Sequence, residues 1–373
     1  MFGQLRRSLH VHQNKEMFEF THDFCKKYLT PELVSKMDKD NKADPELIKE
    51  LFNNGFMGLE IDEKYGGQNL NFTSAITAID VFAQYCPSIA VMVDVQNTLT
   101  IPIFNKYGSD HVKQEFLPRM ATTSLAAFGL SEPGSGSDAF ALKSTAEKHG
   151  DSYILNGTKL WITNGAEADV FLIFANEDPS KGYKGISCFA VHKEQGIKVM
   201  KKEDKLGIRA SSTAMLAFDD LKIPKSQLVG KSGHGYKYAI DTLNAGRIGI
   251  AAQMNGIGLG ALNNALPYTT ERQQFGKAVS DFQGMQFQFA DAYAEYLPIA
   301  QLTYTAAHLY EQGEDIQMMG AVCKLKSAQM AESLASKSIE WVGGVGFTKE
   351  YPIEKFYRDA KIGSIYEGIP KLT

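Results

Sequence analysis

No run of apolar residues in this sequence approaches the ~20 needed to cross a bilayer as a helix. The longest, "VFLIFA" at 170–175, has the length of a buried strand. Cysteine is scarce: Cys25, Cys86, Cys188 and Cys323 stand far apart, with no CxxC pair and no metal-ligand spacing. That suits a reducing compartment and excludes a zinc or disulfide framework. The eight histidines form no HxxxH pair, and His10 with His12 is not a metal-binding arrangement, so no metal is expected. A basic excess is missing too. With 39 Lys and Arg against 43 Asp and Glu, the formal net charge is −4, which gives no electrostatic case for nucleic acid. "KVMKKEDK" at 198–205 is basic but carries two acids, and reads as a solvated strand end or turn. There is no internal repeat or low-complexity stretch.

What is there is an ordinary soluble composition, 44% hydrophobic and 22% charged, in 373 residues, enough for two or three domains or layers. Residues 14–125 read as a helical domain. "PELIKELFNNGFMGLEI" at 45–61 starts a helix with Pro45 behind an N-capping Asp44, and Asn54-Gly55 stop it. "FTSAITAIDVFAQY" at 72–85 places Phe72, Ile76, Ile79 and Phe82 on one face. Residues 126–232 change character: short β-branched and aromatic runs at 152–164, 168–176, 186–193 and 213–223 alternate with turn signals, as in a compact β-barrel or sandwich. From 233 to 373 the helical period returns. Pro298 lies inside the long segment 281–313 and predicts a kink or break there. Helices, then strands, then helices argue for an α+β protein and against a doubly wound fold.

Three glycine-rich stretches could approach a ligand. "GIGLG" at 256–260 has no preceding strand and the wrong spacing for a dinucleotide fingerprint, so it reads as a close helix contact. "GLSEPGSGSD" at 129–138 falls where helices hand over to strands, and its backbone N–H groups and hydroxyls can converge on an anion or heterocycle. "EWVGGVGF" at 340–347 is a flexible turn. Nearby in character, "KLWITNG" sets Trp161 and Thr163 two residues apart on a strand. The C-terminal "AKIGSIYEGIPKLT" holds a lone carboxylate, Glu367, between Ile365-Tyr366 and Gly368-Ile369. It is either a half-exposed acid at a turn or a desolvated general base.

In order, "LSEPGSGSD", "WITNG", "KLGIRASST", "ERQQFGK" with "DFQGMQ", "EWVGGVGF" and "RDAKIGSIYEG" resemble the acyl-CoA dehydrogenase family from about residue 14 to 368. "VQNTL", "GYKGI", "GHGYKYAI" and "GRIGIAAQM" are most similar to its short/branched-chain (2-methylacyl) branch. The resemblance implies an N-terminal helical domain, a central β-barrel or sandwich domain and a C-terminal helical bundle. It also implies FAD, a homotetramer, electron transfer to electron-transferring flavoprotein and a mitochondrial matrix location. Residues 1–13, with Arg6 and Arg7 and no acid, then read as a remnant targeting segment.

By the same likeness Phe128, Leu130, Ser131, Gly136 and Ser137 line the flavin, Ser137 facing the substrate as well. Trp161, Ile162 and Thr163 lie along the isoalloxazine. Arg272 and Gln283 reach the FAD of a neighbouring subunit, and Glu340, Trp341, Val342, Gly343 and Gly344 complete that cradle. Tyr183, Tyr236 and the Asn244-Ala245-Gly246-Arg247 turn hold the CoA thioester, with Gly368 beside it. Glu367 is the expected catalytic base, removing the α-proton while a hydride leaves Cβ, its backbone N–H serving the thioester oxygen. In the isovaleryl and long-chain branches the base instead precedes the arginine matching Arg247, and here that place is Gly246.

After Gly368 the likeness lapses. "IPKLT" stands where the family continues through a small polar stretch that touches FAD into a final helix. Two alternatives to the dehydrogenase follow: an acyl-CoA oxidase, and a catalytically impaired binding or assembly protein on the same fold.

Overall fold

The structure, a computed structural model, describes residues 14–368. The expected targeting segment and the departure after Gly368 lie outside the described residues.

The N-terminal helices are α1 (Lys15–Tyr28), α2 (Pro31–Asp40), α3 (Pro45–Asn53), α4 (Phe72–Tyr85), α5 (Pro87–Asp94), α6 (Ile101–Tyr107) and α7 (Asp110–Thr122). Their starts follow local chemistry. Thr30 and Asp44 each cap a helix whose first residue is proline, and Asp44 Oδ1 accepts from the backbone N–H of Glu46 at 2.9 Å. Gly55, at φ 77°, follows the end of α3 in the left-handed region. Helix α4 differs from the one-faced expectation: all of it except Tyr85 is buried, because helices cover it on several sides. Between α5 and α6 the chain makes a π-helical turn, Val95–Thr100, wholly buried. Such turns are rare and cluster at functional sites.

The middle domain is a sheet of eight strands, β1 (Ala126–Gly129), β2 (Thr145–His149), β3 (Ser152–Thr163), β4 (Val170–Asn176), β5 (Ile186–His192), β6 (Lys198–Lys202), β7 (Thr213–Pro224) and β8 (Leu228–Val229). The hydrogen-bonded order is β6-β7-β3-β2-β4-β5-β8, with β1 alongside β4 in parallel. Strand β4 holds the "VFLIFA" run and is buried throughout, as its composition predicts. Two bulges interrupt β3 against β7, and the second contains Trp161.

Helix α8 (Gly235–Glu271) begins the C-terminal bundle and continues through a small hairpin, β9 (Gln273–Gln274) and β10 (Lys277–Ala278), to α9 (Gln283–Glu311), α10 (Gln317–Val342) and α11 (Ile353–Ala360). Pro298 does not break α9, contrary to the expected interruption. Neighbours on both sides of Pro298 are buried against α8 and α10, and that packing holds the helix together across the missing hydrogen bond. The glycines of "GIGLG" do mark close helix contact. A Cβ on Gly258 would lie 2.8 Å from Met330 Sδ, and one on Gly260 2.6 Å from the Phe356 ring. All four cysteines are buried and unpaired.

Candidate active site

Glu367 follows a 3-10 turn, Lys361–Ser364, and sits at φ 49°, with Gly368 at φ 109°. A non-glycine residue in the left-handed region costs roughly 1–3 kcal/mol and persists only where its surroundings over-determine it. Here they do. Lys324, buried on α10, donates to the Gly368 carbonyl, and the Tyr366 hydroxyl donates to Gln253 Oε1 on α8. Lys361 and Ser364 both reach Glu332 of α10, at 2.6 and 3.2 Å.

The carboxylate of Glu367 points at α8. A Cβ on Gly246 would lie 2.7 Å from Glu367 Oε2 and 2.9 Å from Oε1, so the bare glycine makes its room. Oε2 is buried and has no hydrogen-bond partner among the described residues. Burial is the main cause that pushes the Glu367 carboxyl well above its usual range, and the nearby Asp94 carboxyl adds to it. Arg247 and Lys324 act in the opposite direction. Burial also lowers Lys324 itself, to about 8. As a residue Glu367 is half-buried, but its carboxylate end is buried, and the shift follows that end rather than the exposed backbone.

Around the carboxylate lies a small apolar cluster. Val91, Val95, Leu99 and Ile208 are buried together, and half-buried Phe128, Leu243, Ile362 and Tyr366 pack on them. Three of the buried members come from α5 and the π turn, which explains why that turn is here. Ile208 is fixed by its own N–H, which donates to Asp359 Oδ1 at 2.6 Å.

On the sheet side, residues 129–138 form a loop braced from below. Lys159 on β3 is fully buried, and its Nζ donates to Leu130 O at 3.1 Å and to Glu132 Oε1 at 2.8 Å. Glu132 in turn accepts from the N–H groups of Lys143 and Ser144. Leu130 is buried, Ser131 half-buried, and Gly136 and Ser137 are exposed. A Cβ on Gly134 or Gly136 would meet nothing within 4 Å. Next to the loop, the β3 bulge holds Trp161 at φ 63° with 59% of its surface exposed. A bulge re-aims a side chain, and an exposed indole at positive φ has little other structural reason. Ile162 faces the opposite way, into the core, and Thr163 is half-buried. An exposed aromatic plane beside an open glycine-serine loop fits a planar heterocycle such as a flavin.

Tyr183 and Tyr236 meet edge to face at 4.9 Å, and Lys184 and Lys237 each stand 5.9 Å over one of these rings. Asn244 Oδ1 accepts from Arg247 Nη1 at 3.2 Å, one helical turn apart on α8, with Ala245 buried between them. These four sit on the N-terminal part of α8 or against it.

Arg272, Gln283 and Glu340–Gly344 are elsewhere. Arg272 caps the C-terminal end of α8, 26 residues beyond Gly246, roughly 39 Å away at 1.5 Å per residue. Gln283 begins α9 at that end, and α10, running parallel to α8, brings Glu340 there as well. Within one chain they lie at the opposite end of α8 from Glu367. Trp341 and Val342 are buried in the bundle, Trp341 Nε1 donating to Gln288 at 2.9 Å, so their side chains serve packing. Gly343 and Gly344 stay open, with nothing within 4 Å of an added Cβ.

Sequence reasoning missed Asp94, Lys159 and Lys324. A lysine in register with the inward-facing Tyr153 and Leu155 was the available signal for Lys159. Asp94 and Lys324 had none, since each is one polar residue in a helix.

Among family descriptions, "Acyl-CoA dehydrogenase, N-terminal domain" matches residues 12–124, the middle domain 127–221 and the C-terminal domain 233–370. The "Short/branched chain specific acyl-CoA dehydrogenase, mitochondrial" of Rattus norvegicus is 46% identical over 346 residues, covering 92% of this chain and 80% of the rat protein. The butyryl-CoA dehydrogenase of Megasphaera elsdenii superposes with a TM-score of 0.93 at 36% identity, over 97% of this chain and 96% of that one. A chain of the structure described as an electron transferring flavoprotein of Acidaminococcus fermentans gives a TM-score of 0.94 at 38% identity, over 97% and 95%.

Proposed function

The chain belongs to the acyl-CoA dehydrogenase family, and from that premise we propose that it oxidises short or branched acyl-CoA thioesters to 2,3-enoyl-CoA with Glu367 as the base. The observation that carries this reading is the carboxylate of Glu367, desolvated and aimed at the space beside Gly246.

Glu367 takes the α-proton on a carboxylate oxygen, and its raised affinity for protons strengthens it for that task. Its backbone N–H donates to the thioester oxygen, where enolate charge develops. Bound FAD would supply the acceptor for the hydride from Cβ, so that loss of both hydrogens leaves the Cα–Cβ double bond. Trp161, Thr163 and the loop from Phe128 to Ser137 hold the flavin ring. Tyr183, Tyr236, Asn244 and Arg247 hold the CoA arm, with Lys184 and Lys237 supplying positive charge near it. The apolar cluster of Val95, Leu99 and Tyr366 surrounds the acyl chain and excludes water from the reacting carbons.

Arg272, Gln283, Glu340 and Gly343–Gly344 would complete the flavin site of a neighbouring subunit in a homotetramer. The exposed Phe275, Phe287 and Phe347 near that end support this. Electrons leave to an electron-transferring flavoprotein. The basic start of the chain and the mitochondrial name of the rat relative support a matrix location.

The test is the visible spectrum of the purified protein, followed by anaerobic addition of 2-methylbutyryl-CoA. A flavin band that bleaches, and that fails to bleach in Glu367→Gln, is the expected result. Rapid turnover with oxygen alone would favour the oxidase, and absence of flavin would favour the assembly protein.

A further inference from the structure

The buried carboxyl of Asp94 is not used by the chemistry above. It enters from the end of α5, and its Oδ1 accepts from Thr98 Oγ1 at 2.7 Å. Its other oxygen, Oδ2, is buried without a hydrogen-bond partner among the described residues, as is Glu367 Oε2. Both carboxyls lodge against α8 where glycine replaces a side chain. Glu367 fills the space at Gly246, and Asp94 fills the space at Gly249. Residues three apart on a helix have Cβ positions about 5–6 Å from each other. Two carboxyl groups, each with one orphaned oxygen, are thus held one turn apart on a single stripe of one helix.

We propose that Asp94 is a positioning residue for the base, a second carboxyl that shares the active-site charge with Glu367 and sets the pH at which Glu367 becomes competent. The proposal rests on the reading of Glu367 as the base. Two carboxylates this close in a dry site do not ionise independently. The first to lose its proton opposes loss of the second, and the pair titrates as a unit.

The surrounding charges are few. Arg247 on α8 and Lys324 on α10 favour the ionised form of Glu367. Tyr366 is beside the base on its own segment, with its hydroxyl on Gln253. Asp359 of α11, which also acts on Tyr366, is paired with Lys355. Among the described residues Asp94 is therefore the one negative group raising Glu367. Burial holds Asp94 itself at about 7, so its own titration falls in the working range of the base.

Asp94→Asn keeps the size of the side chain and an acceptor for Thr98 while removing the charge. We expect the acid limb of its kcat/KM profile to move to lower pH than in the wild type. Asp94→Glu, which restores the charge, should return the limb toward the wild-type position. Infrared titration of the carboxyl C=O stretch supplies a readout independent of turnover. The Glu367 band, assigned by its loss in Glu367→Gln, should vanish at lower pH in Asp94→Asn. If Asp94→Asn does not fold, the band of Asp94 in Glu367→Gln should vanish at lower pH than in the wild type. Unchanged midpoints in either comparison would overturn the proposal. Failure of the wild type to bleach with acyl-CoA would count against the proposed function alone, since the infrared coupling is measured without substrate.

Discussion

Gly246 and Glu367 share one space: a methyl group on the glycine would sit 2.7 Å from the carboxylate Oε2 and 2.6 Å from Leu99 Cδ2. The helix gives up its side chain at this turn so that a base from the far end of the chain can occupy the position. Gly246→Ala should displace the carboxylate by a fraction of an ångström while leaving α8 intact, since alanine is the better helix former. Flavin content should be unchanged. The bleaching rate should fall about tenfold or more, because proton abstraction depends on sub-ångström placement. Stopped-flow reduction at saturating substrate measures it.

Lys324→Met removes two things at once: the donor to the Gly368 carbonyl and a positive charge beside Glu367. Loss of the charge raises the Glu367 carboxyl further, so the acid limb of activity should move to higher pH, opposite to the shift expected for Asp94→Asn. A pH–rate profile decides the sign. Lys324→Arg should restore part of both.

Lys159→Met leaves the Glu132 charge buried without its counter-ion beneath the loop that we assign to the flavin. Stranding one partner of a buried pair destabilises by about 3–5 kcal/mol. Denaturant titration should show that loss, and the purified variant should carry less flavin. Lys159→Met with Glu132→Gln should recover stability, since the lone charge is then gone.

Asp80 on α4 is wholly buried, accepts from the Tyr304 hydroxyl at 3.0 Å, and is pushed by burial from 3.8 to about 7. Its folded-state affinity for a proton exceeds that of the unfolded chain, so stability falls as pH rises between these values and is flat above. The melting temperature of Asp80→Asn should gain on the wild type from pH 4 to about 7, then hold a constant lead. Parallel melts across that range test it.

Much of this protein was legible without coordinates. The capped start of α3 at Asp44-Pro45, the all-apolar β4 and the shift from helical to strand period near residue 126 are local patterns, enforced by short-range sterics and by side-chain periodicity. The ordered motifs carried the family, whereas of the apolar neighbours of Glu367 in sequence Tyr366 packs on the cluster around it and Ile365 is exposed.

Other features were settled only by distant parts of the chain coming together. Nothing local states that Gly246 faces a carboxylate 121 residues later. Asp94 and Lys324 are polar residues in helices until α5 and α10 bring them to the same corner. Pro298 predicts a broken helix by its own geometry, and packing on α8 and α10 overrides it. Local sterics and periodicity determine the elements. Burial and charge at the base depend on what surrounds it in space, and only the tertiary structure decides that.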